Sequence, residues 1–332
     1  MIGTDMLPHR PFSIFMFVIL ACCVRPVAAD EKPPSEVALV EIASVDGLPI
    51  YQGEIDQEMA KIVGNKNLAA TDRARLLAHF LDQWIDRRLV LKYLERKGET
   101  ISKQLVDAEI DVLKTRLEQR KTSLKDYLQK RGITEKALRT DLTWRMSWKR
   151  YIDRNVTDKV LQSVFDKHPR RYDGTQLRVR HILLPTEDSD GGPSIAKAGD
   201  IRREILDGKI SFADAVAKYS TGPSKKDDGD LGLITRHGEM VEPFAAVAFE
   251  LDETEISEPV VTRFGVHLIQ CVEVKPGGKK WTDVADQLRG VAIQKAFRHI
   301  ASGQRRKARI EFTGAGPYFD PDSRDLITPA AN

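Results

Sequence analysis

Leu177-Arg178-Val179-Arg180-His181-Ile182-Leu183-Leu184, Gly229-Asp230-Leu231-Gly232 and Phe264-Gly265-Val266-His267-Leu268-Ile269 are the pieces of the stretch from Leu177 to Val274 that decide the fold. The two outer pieces are apolar, β-branched runs with one histidine each, so each reads as a strand carrying an imidazole. Two short helical patterns and a glycine-rich loop lie between them. Taken singly, these pieces have ordinary readings. A histidine in a β-run is usually a satisfied core residue, and Met240 and Phe244, four apart around Pro243, read as core. Pro243 suits the start of a short helix rather than its interior. Gly229 to Gly232 read as a turn, with Asp230 a structural residue in it. Their order and spacing together carry more than any one piece.

Taken in order, Arg180-His181-Ile182-Leu183, Gly229-Asp230-Leu231-Gly232, Met240 to Phe244 and Phe264-Gly265-Val266-His267 resemble the parvulin type of peptidyl-prolyl cis/trans isomerase, also called rotamase or PpiC. The resemblance covers about a hundred residues and implies an FKBP-like domain, an antiparallel sheet with helices. It implies that His181 and His267 lie side by side on the floor of a small apolar cleft, with Thr262 bonded to the pair. It places the walls of a proline pocket on Leu231, Met240 and Phe244. One departure stands out. Many parvulins carry a cysteine or aspartate facing the carbonyl of the rotating bond, in a loop that here reads Ser220-Thr221-Gly222-Pro223-Ser224. That position falls on Gly222, which has no side chain to offer. The loop after the first strand holds Glu187, Asp188 and Asp190, whereas phosphate-directed parvulins need basic side chains there. Acidic groups would repel a phosphoserine, so the expected substrates are general proline segments.

Length and composition fit two domains with proper cores: 332 residues, 41% hydrophobic and 30% charged. A net charge of +3 carries no nucleic-acid footprint. Residues 1–29 read as an export signal: His9 and Arg10 precede the apolar Phe12 to Val24, and Val27-Ala28-Ala29 supply small residues before Asp30. A second reading of the same segment takes Ile19-Leu20-Ala21-Cys22 as a lipobox, which would leave Cys22 lipidated at a membrane surface. Either reading places the protein outside the cytoplasm, in the periplasm or its equivalent. Cutting after Ala29 leaves Cys271 as the one cysteine, so no internal disulfide is expected, and its apolar neighbours make it a small core residue. Neither a zinc spacing nor a phosphate-binding loop is present, so no metal, cofactor or ATP is expected.

Before the isomerase segment the pattern is helical. Val37 to Val45 reads as a strand, Asp46-Gly47 as a turn, and Ile50-Tyr51 as the return strand. From Thr71 a long helix carries Leu77, Leu81, Ile85, Leu89 and Tyr93 at four-residue intervals and stops at Gly98. Ser102, Ser123, Thr134 and Thr157 are placed to cap further helices. Val45-Asp46-Gly47-Leu48-Pro49-Ile50, Leu81 to Val90 and Lys130-Arg131-Gly132-Ile133-Thr134 resemble the N-terminal domain of SurA-like periplasmic chaperones. That resemblance implies a domain that cradles unfolded client segments. It also implies a C-terminal helix (Trp281 to Gln304) and strand (Ala308 to Phe312) that return to complete the domain. The basic run Arg305-Arg306-Lys307 suits a helix C-terminus.

The expected architecture is therefore α+β: a helical SurA-like N-terminal domain completed from the C-terminus, with an inserted parvulin-like domain. The boundaries read as a signal at 1–29, a helical domain at 30–172, the isomerase at 173–276, the returning helix and strand at 277–312, and a flexible tail at 313–332. The expected function is an exported isomerase and chaperone acting on unfolded or nascent exported polypeptides that contain proline, with no nucleic acid as partner. The alternative is a non-catalytic holdase that uses a degenerate parvulin domain as a peptide groove, which Gly222 favours.

Overall fold

The computed structural model describes residues 39–64, 68–186 and 192–329. The signal segment with Cys22, and Glu187, Asp188 and Asp190, lie outside the described residues. The elements run β1 (Glu41–Val45), β2 (Leu48–Tyr51), α1 (Gln52–Val63), α2 (Ala70–Arg96), α3 (Lys103–Gln119), α4 (Leu124–Arg131), α5 (Glu135–Asn155) and α6 (Asp158–Lys167). They continue with β3 (Gln176–Leu184), α7 (Gly192–Leu206), α8 (Phe212–Tyr219), β4 (Asp230–Thr235), α9 (Glu242–Ala248), β5 (Val260–Thr262) and β6 (Gly265–Lys275). Last come α10 (Ala285–Arg305), β7 (Ile310–Phe312), β8 (Tyr318–Phe319) and β9 (Leu326–Ile327). The described residues form two compact units, one of Asp158–Gly290 and the other of residues 39–157 together with 291–329. Among the described residues no helix is long and apolar enough to cross a membrane.

In the helical unit, Asp46 and Gly47 both adopt positive φ (47° and 74°), as a two-residue hairpin turn requires, and so join β1 to β2. The C-terminal β7 pairs with the other edge of β1, placing Ile310 opposite Val45 and Phe312 opposite Ala43. This small antiparallel sheet packs Ile42, Val45 and Ile50 on Phe80, Leu81, Trp84, Ile85 and Leu89 of α2. The four-residue spacing of apolar side chains on α2 is what presents that face. Ser123 accepts the Asp126 N–H at 3.0 Å and Thr134 accepts the Ala137 N–H at 2.9 Å, so these caps start α4 and α5 where the sequence places them. Ser102 and Thr157 immediately precede α3 and α6.

Two expectations need correction. The helix read from Trp281 begins as a 3-10 turn over Trp281–Val284 and becomes α-helical at Ala285. The segment from 313 on, expected to be a flexible tail, forms the β8–β9 hairpin through residue 327. Tyr318 stacks on Phe312 at 4.1 Å and Phe319 meets His79 of α2 edge-on at 5.2 Å, so two aromatic anchors outweigh the polar, glycine- and proline-rich composition.

A buried ion pair ties α1 to α2. The Glu54 carboxylate accepts Arg88 Nη2 at 2.7 Å, Trp84 Nε1 at 3.4 Å and the Tyr51 amide N–H at 3.0 Å, while Arg88 is only 2% exposed. Removing one partner strands a charge in the core, whereas replacing both does not. Glu54→Ala should cost ~3–5 kcal/mol in a denaturant titration, and Glu54→Leu/Arg88→Met clearly less. Equal losses for the two variants would mean that the charge is not effectively buried.

Candidate active site

The isomerase-like unit is built on an antiparallel sheet in the order β4-β3-β6-β5. β3 and β6 pair from Gln176↔Lys275 to Leu184↔Val266, with His181 opposite Ile269 and Leu183 opposite His267. Residues facing each other across a ladder share a face, and alternate residues switch faces. Ile182, Leu184, Val266 and Leu268 therefore point to the side covered by α7 and α8, where they pack with Ala198, Ile201, Phe212 and Val216. His181 and His267 point to the other side, diagonally across the ladder, beside the cluster of Leu177, Val179, Ile269, Cys271 and the α9 residue Phe244.

The two imidazoles meet. Their Nδ1 atoms lie 3.0 Å apart and the rings stack at 5.2 Å. The outer nitrogens are also occupied: His267 Nε2 is 2.8 Å from Thr262 Oγ1, and His181 Nε2 is 3.0 Å from Ser224 Oγ. Phe244, 2% exposed, sets its edge against both rings at 5.9 and 5.3 Å. Leu231 and Met240 are half-buried and pack against the same cluster. The structure thus brings His181, His267, Thr262, Leu231, Met240 and Phe244 together. Gly222 is buried beside them, and a Cβ there would lie 3.4 Å from His181 Nε2 and 3.3 Å from Leu183 Cβ. Sequence reasoning passes over Ser224. The one available signal is a hydroxyl residue two positions after Gly222, in the loop already marked by its missing side chain.

Local backbone chemistry explains this placement. The Ser220–Ser224 segment lies along β3: the Thr221 N–H donates to the Leu183 carbonyl at 2.8 Å and the Leu183 N–H donates to Ser220 Oγ at 3.1 Å. The His181 N–H donates to the Gly229 carbonyl at 2.9 Å. Gly229 must be glycine, since its φ is +78° and a Cβ would sit 2.4 Å from the His181 carbonyl oxygen. Asp230 is structural: it accepts the Gly232 N–H at 2.9 Å and pairs with Arg178 at 2.7 Å.

Donor and acceptor counting sets the direction of the chain of hydrogen bonds. Thr262 Oγ1 accepts the Phe264 N–H at 3.1 Å, and its own hydroxyl donates to the Gly265 carbonyl at 3.4 Å. Thr262 then accepts from His267 Nε2–H, which leaves His267 Nδ1 bare to accept from His181 Nδ1–H, and His181 Nε2 accepts from the Ser224 hydroxyl. Every contact is made once in this assignment, and no ring nitrogen is left over. Burial pushes the pKa of His181 down to about 4; burial, followed by the charge of His181, does the same to His267. Both rings are neutral at pH 7, as a one-donor, one-acceptor pair requires. Burial raises the Cys271 thiol, which suits an inert core residue.

Comparison with known proteins finds matches to both parts of the chain. Residues 181–273 match the family model of the PPIC-type PPIASE domain (rotamase), and residues 12–152 match that of the SurA-like N-terminal domain. A probable parvulin-type peptidyl-prolyl cis-trans isomerase of Bordetella bronchiseptica is 28% identical over 300 residues, covering 89% of this chain and 98% of the relative. Foldase protein PrsA 1 of Bacillus cereus is 30% identical over 172 residues, 51% of this chain and 53% of the relative, so the chain spans about half of that protein. Chaperone SurA of a Polaromonas species is 34% identical over 143 residues, 42% of this chain and 30% of the relative.

Neutral burial of the imidazoles makes folding sensitive to pH. Their folded pKa of about 4 lies below the ordinary 6.5, so the unfolded chain binds the extra protons between these values. The stabilisation is complete above pH ~6.5 and is lost as pH falls toward 4, at on the order of 1 kcal/mol per pH unit for each ring. Denaturant midpoints measured from pH 7 to 5 should fall for the wild type and stay flatter for His181→Asn/His267→Asn. Identical slopes would contradict a neutral buried pair.

Proposed function

We propose that this chain is a parvulin-type peptidyl-prolyl cis/trans isomerase with a SurA-like N-terminal domain and turns over X-Pro bonds in unfolded or partly folded exported polypeptides at the cleft of His181 and His267, a reading supported by the two family-model matches. The observation that carries this reading is the closed chain of hydrogen bonds from Ser224 through both imidazoles to Thr262, lying under Phe244. With all four ring nitrogens engaged, the imidazoles neither exchange protons with a substrate nor attack it. They form a rigid, neutral floor. Phe244, Leu231 and Met240 grip the pyrrolidine ring, and the dry surroundings strip water from the amide.

That is enough for this reaction. An X-Pro bond turns slowly because its amide resonance must be broken. The twisted amide has lost resonance and charge separation, so an apolar slot that excludes water favours it over the planar ground state. A ~1,000-fold acceleration needs ~4 kcal/mol of such selectivity. No covalent intermediate, metal or cofactor enters the scheme. Gly222 adds no side chain at the substrate carbonyl, which is consistent with catalysis by desolvation and grip alone.

The domain assignment that goes with this reading is a helical chaperone domain at 30–172, the isomerase at 173–276 and a returning helix and strand at 277–312. We place the protein outside the cytoplasm on its N-terminal sequence. Mass spectrometry of the mature chain should find Asp30 first; a lipidated Cys22 would instead put it on a membrane surface.

A coupled assay on proline tetrapeptides, run beside suppression of aggregation of an unfolded client, tests the function. Wild type should accelerate isomerisation, and His181→Ala or His267→Ala should lose on the order of 10-fold or more in kcat/KM while still suppressing aggregation. Equal silence of wild type and both variants, with aggregation still suppressed, would replace the enzyme by a holdase with a peptide groove.

A further inference from the structure

The loop that carries Met240 is closed by an ion pair to which neither the sequence motifs nor the imidazole chain assigns a role. Arg236 is the first residue after β4 and Glu242 the first of α9; between them run His237, Gly238, Glu239, Met240 and Val241. The two side chains meet as a bidentate fork, Nη1 to Oε2 at 2.7 Å and Nη2 to Oε1 at 2.6 Å. Arg236 is 7% exposed and its Nε–H is buried without a hydrogen-bond partner among the described residues. The Glu242 carboxylate is therefore the countercharge that makes burial of this guanidinium tolerable. Two parallel N–H···O bonds also hold a fixed geometry, as a lysine point charge would not.

The pair brackets the slot. Met240 lies two residues before Glu242 and Phe244 two residues after it, so a displacement of Glu242 moves both walls. Two further contacts confine the same loop. Gly238 lies so close to Thr235 that a Cβ would be 2.2 Å from Thr235 Oγ1, and the Gln287 amide donates to His237 Nε2 at 2.8 Å. Seven-residue α9 is too short to hold its own position, since isolated helices shorter than ~12 residues are marginal.

We infer that the Arg236–Glu242 pair is a positioning clasp for the proline slot: it holds Met240 and Phe244 against the imidazole floor and so sets how tightly an X-Pro segment is gripped. The inference rests on the proposed isomerase reading of that slot. Among the described residues the hydrogen bonds of His181 and His267 go to each other, Ser224 and Thr262 and not to Arg236 or Glu242, so the clasp acts through the walls. Its loss loosens substrate binding more than it slows the chemical step.

Steady-state kinetics of the full chain on proline tetrapeptides, together with amide hydrogen exchange, test the clasp. Glu242→Ala should raise KM on the order of 10-fold with a smaller fall in kcat, because the lost contact is one made equally in ground and transition states. Amides of 237–241 should exchange faster while those of β3 and β6 keep their protection. Because Glu242→Ala strands a buried guanidinium and can unfold the domain, Arg236→Met/Glu242→Leu is the second variant. It leaves no charge behind, should fold, and should still show the raised KM. The swap Arg236→Glu/Glu242→Arg should recover part of the KM. An unchanged KM and unchanged loop exchange in a folded Arg236→Met/Glu242→Leu would overturn the clasp, as would equal falls in kcat and stability with no change in KM. If the wild type is silent toward every proline peptide, the isomerase reading fails instead, and loop exchange alone still decides whether the pair holds the loop.

Discussion

The register between β3 and β6 is the constraint on which the site depends. His181 pairs with Ile269 and His267 with Leu183, so both imidazoles emerge on one face at a diagonal that lets their Nδ1 atoms meet at 3.0 Å. A slip by one residue would send one histidine to the face packed by α7 and α8, where Ile182, Leu184, Val266 and Leu268 now sit. That hydrophobic face pins the register. The same alternation that buries four aliphatic side chains on one side delivers two polar rings on the other, and the packing of α7 and α8 thereby positions a site those helices do not form.

Once together, the rings form one unit. A buried, neutral imidazole needs a donor on one side and an acceptor on the other, and the chain from Ser224 to Gly265 supplies each in turn. Protonating either ring would break this order, since an imidazolium has no acceptor nitrogen to offer. Burial opposes that protonation, with both pKa values near 4. Charge chemistry is thus suppressed at this pair, which suits the proposed isomerisation because that reaction needs none. What the pair is set in is apolar surface: Phe244 edge-on to both rings, with Leu231 and Met240 packed against the same cluster.

Much of this was legible in the sequence. The β-branched runs around His181 and His267, the turn at Asp46-Gly47, the caps Ser123 and Thr134, and the four-residue spacing along α2 all appear where local pattern and backbone chemistry place them. What stayed hidden depends on tertiary contact. Ser224 carries no local signal, because nothing in Gly222-Pro223-Ser224 says that its hydroxyl reaches His181 from a loop strung along β3. Arg236 and Glu242 read as surface charges until the fold buries one of them. The 313–329 segment reads as loose because its aromatic anchors, Tyr318 and Phe319, find Phe312 and His79 only after β7 has returned to β1.

Nitrogen NMR of the two histidine side chains tests the central claim most directly, because it reads the protons themselves. At pH 7 the account predicts two neutral rings in different tautomers, His181 carrying its proton on Nδ1 and His267 on Nε2, with protonation only near pH 4. An imidazolium at pH 7, or two rings in the same tautomer, would contradict the closed chain of hydrogen bonds and the neutral floor built on it.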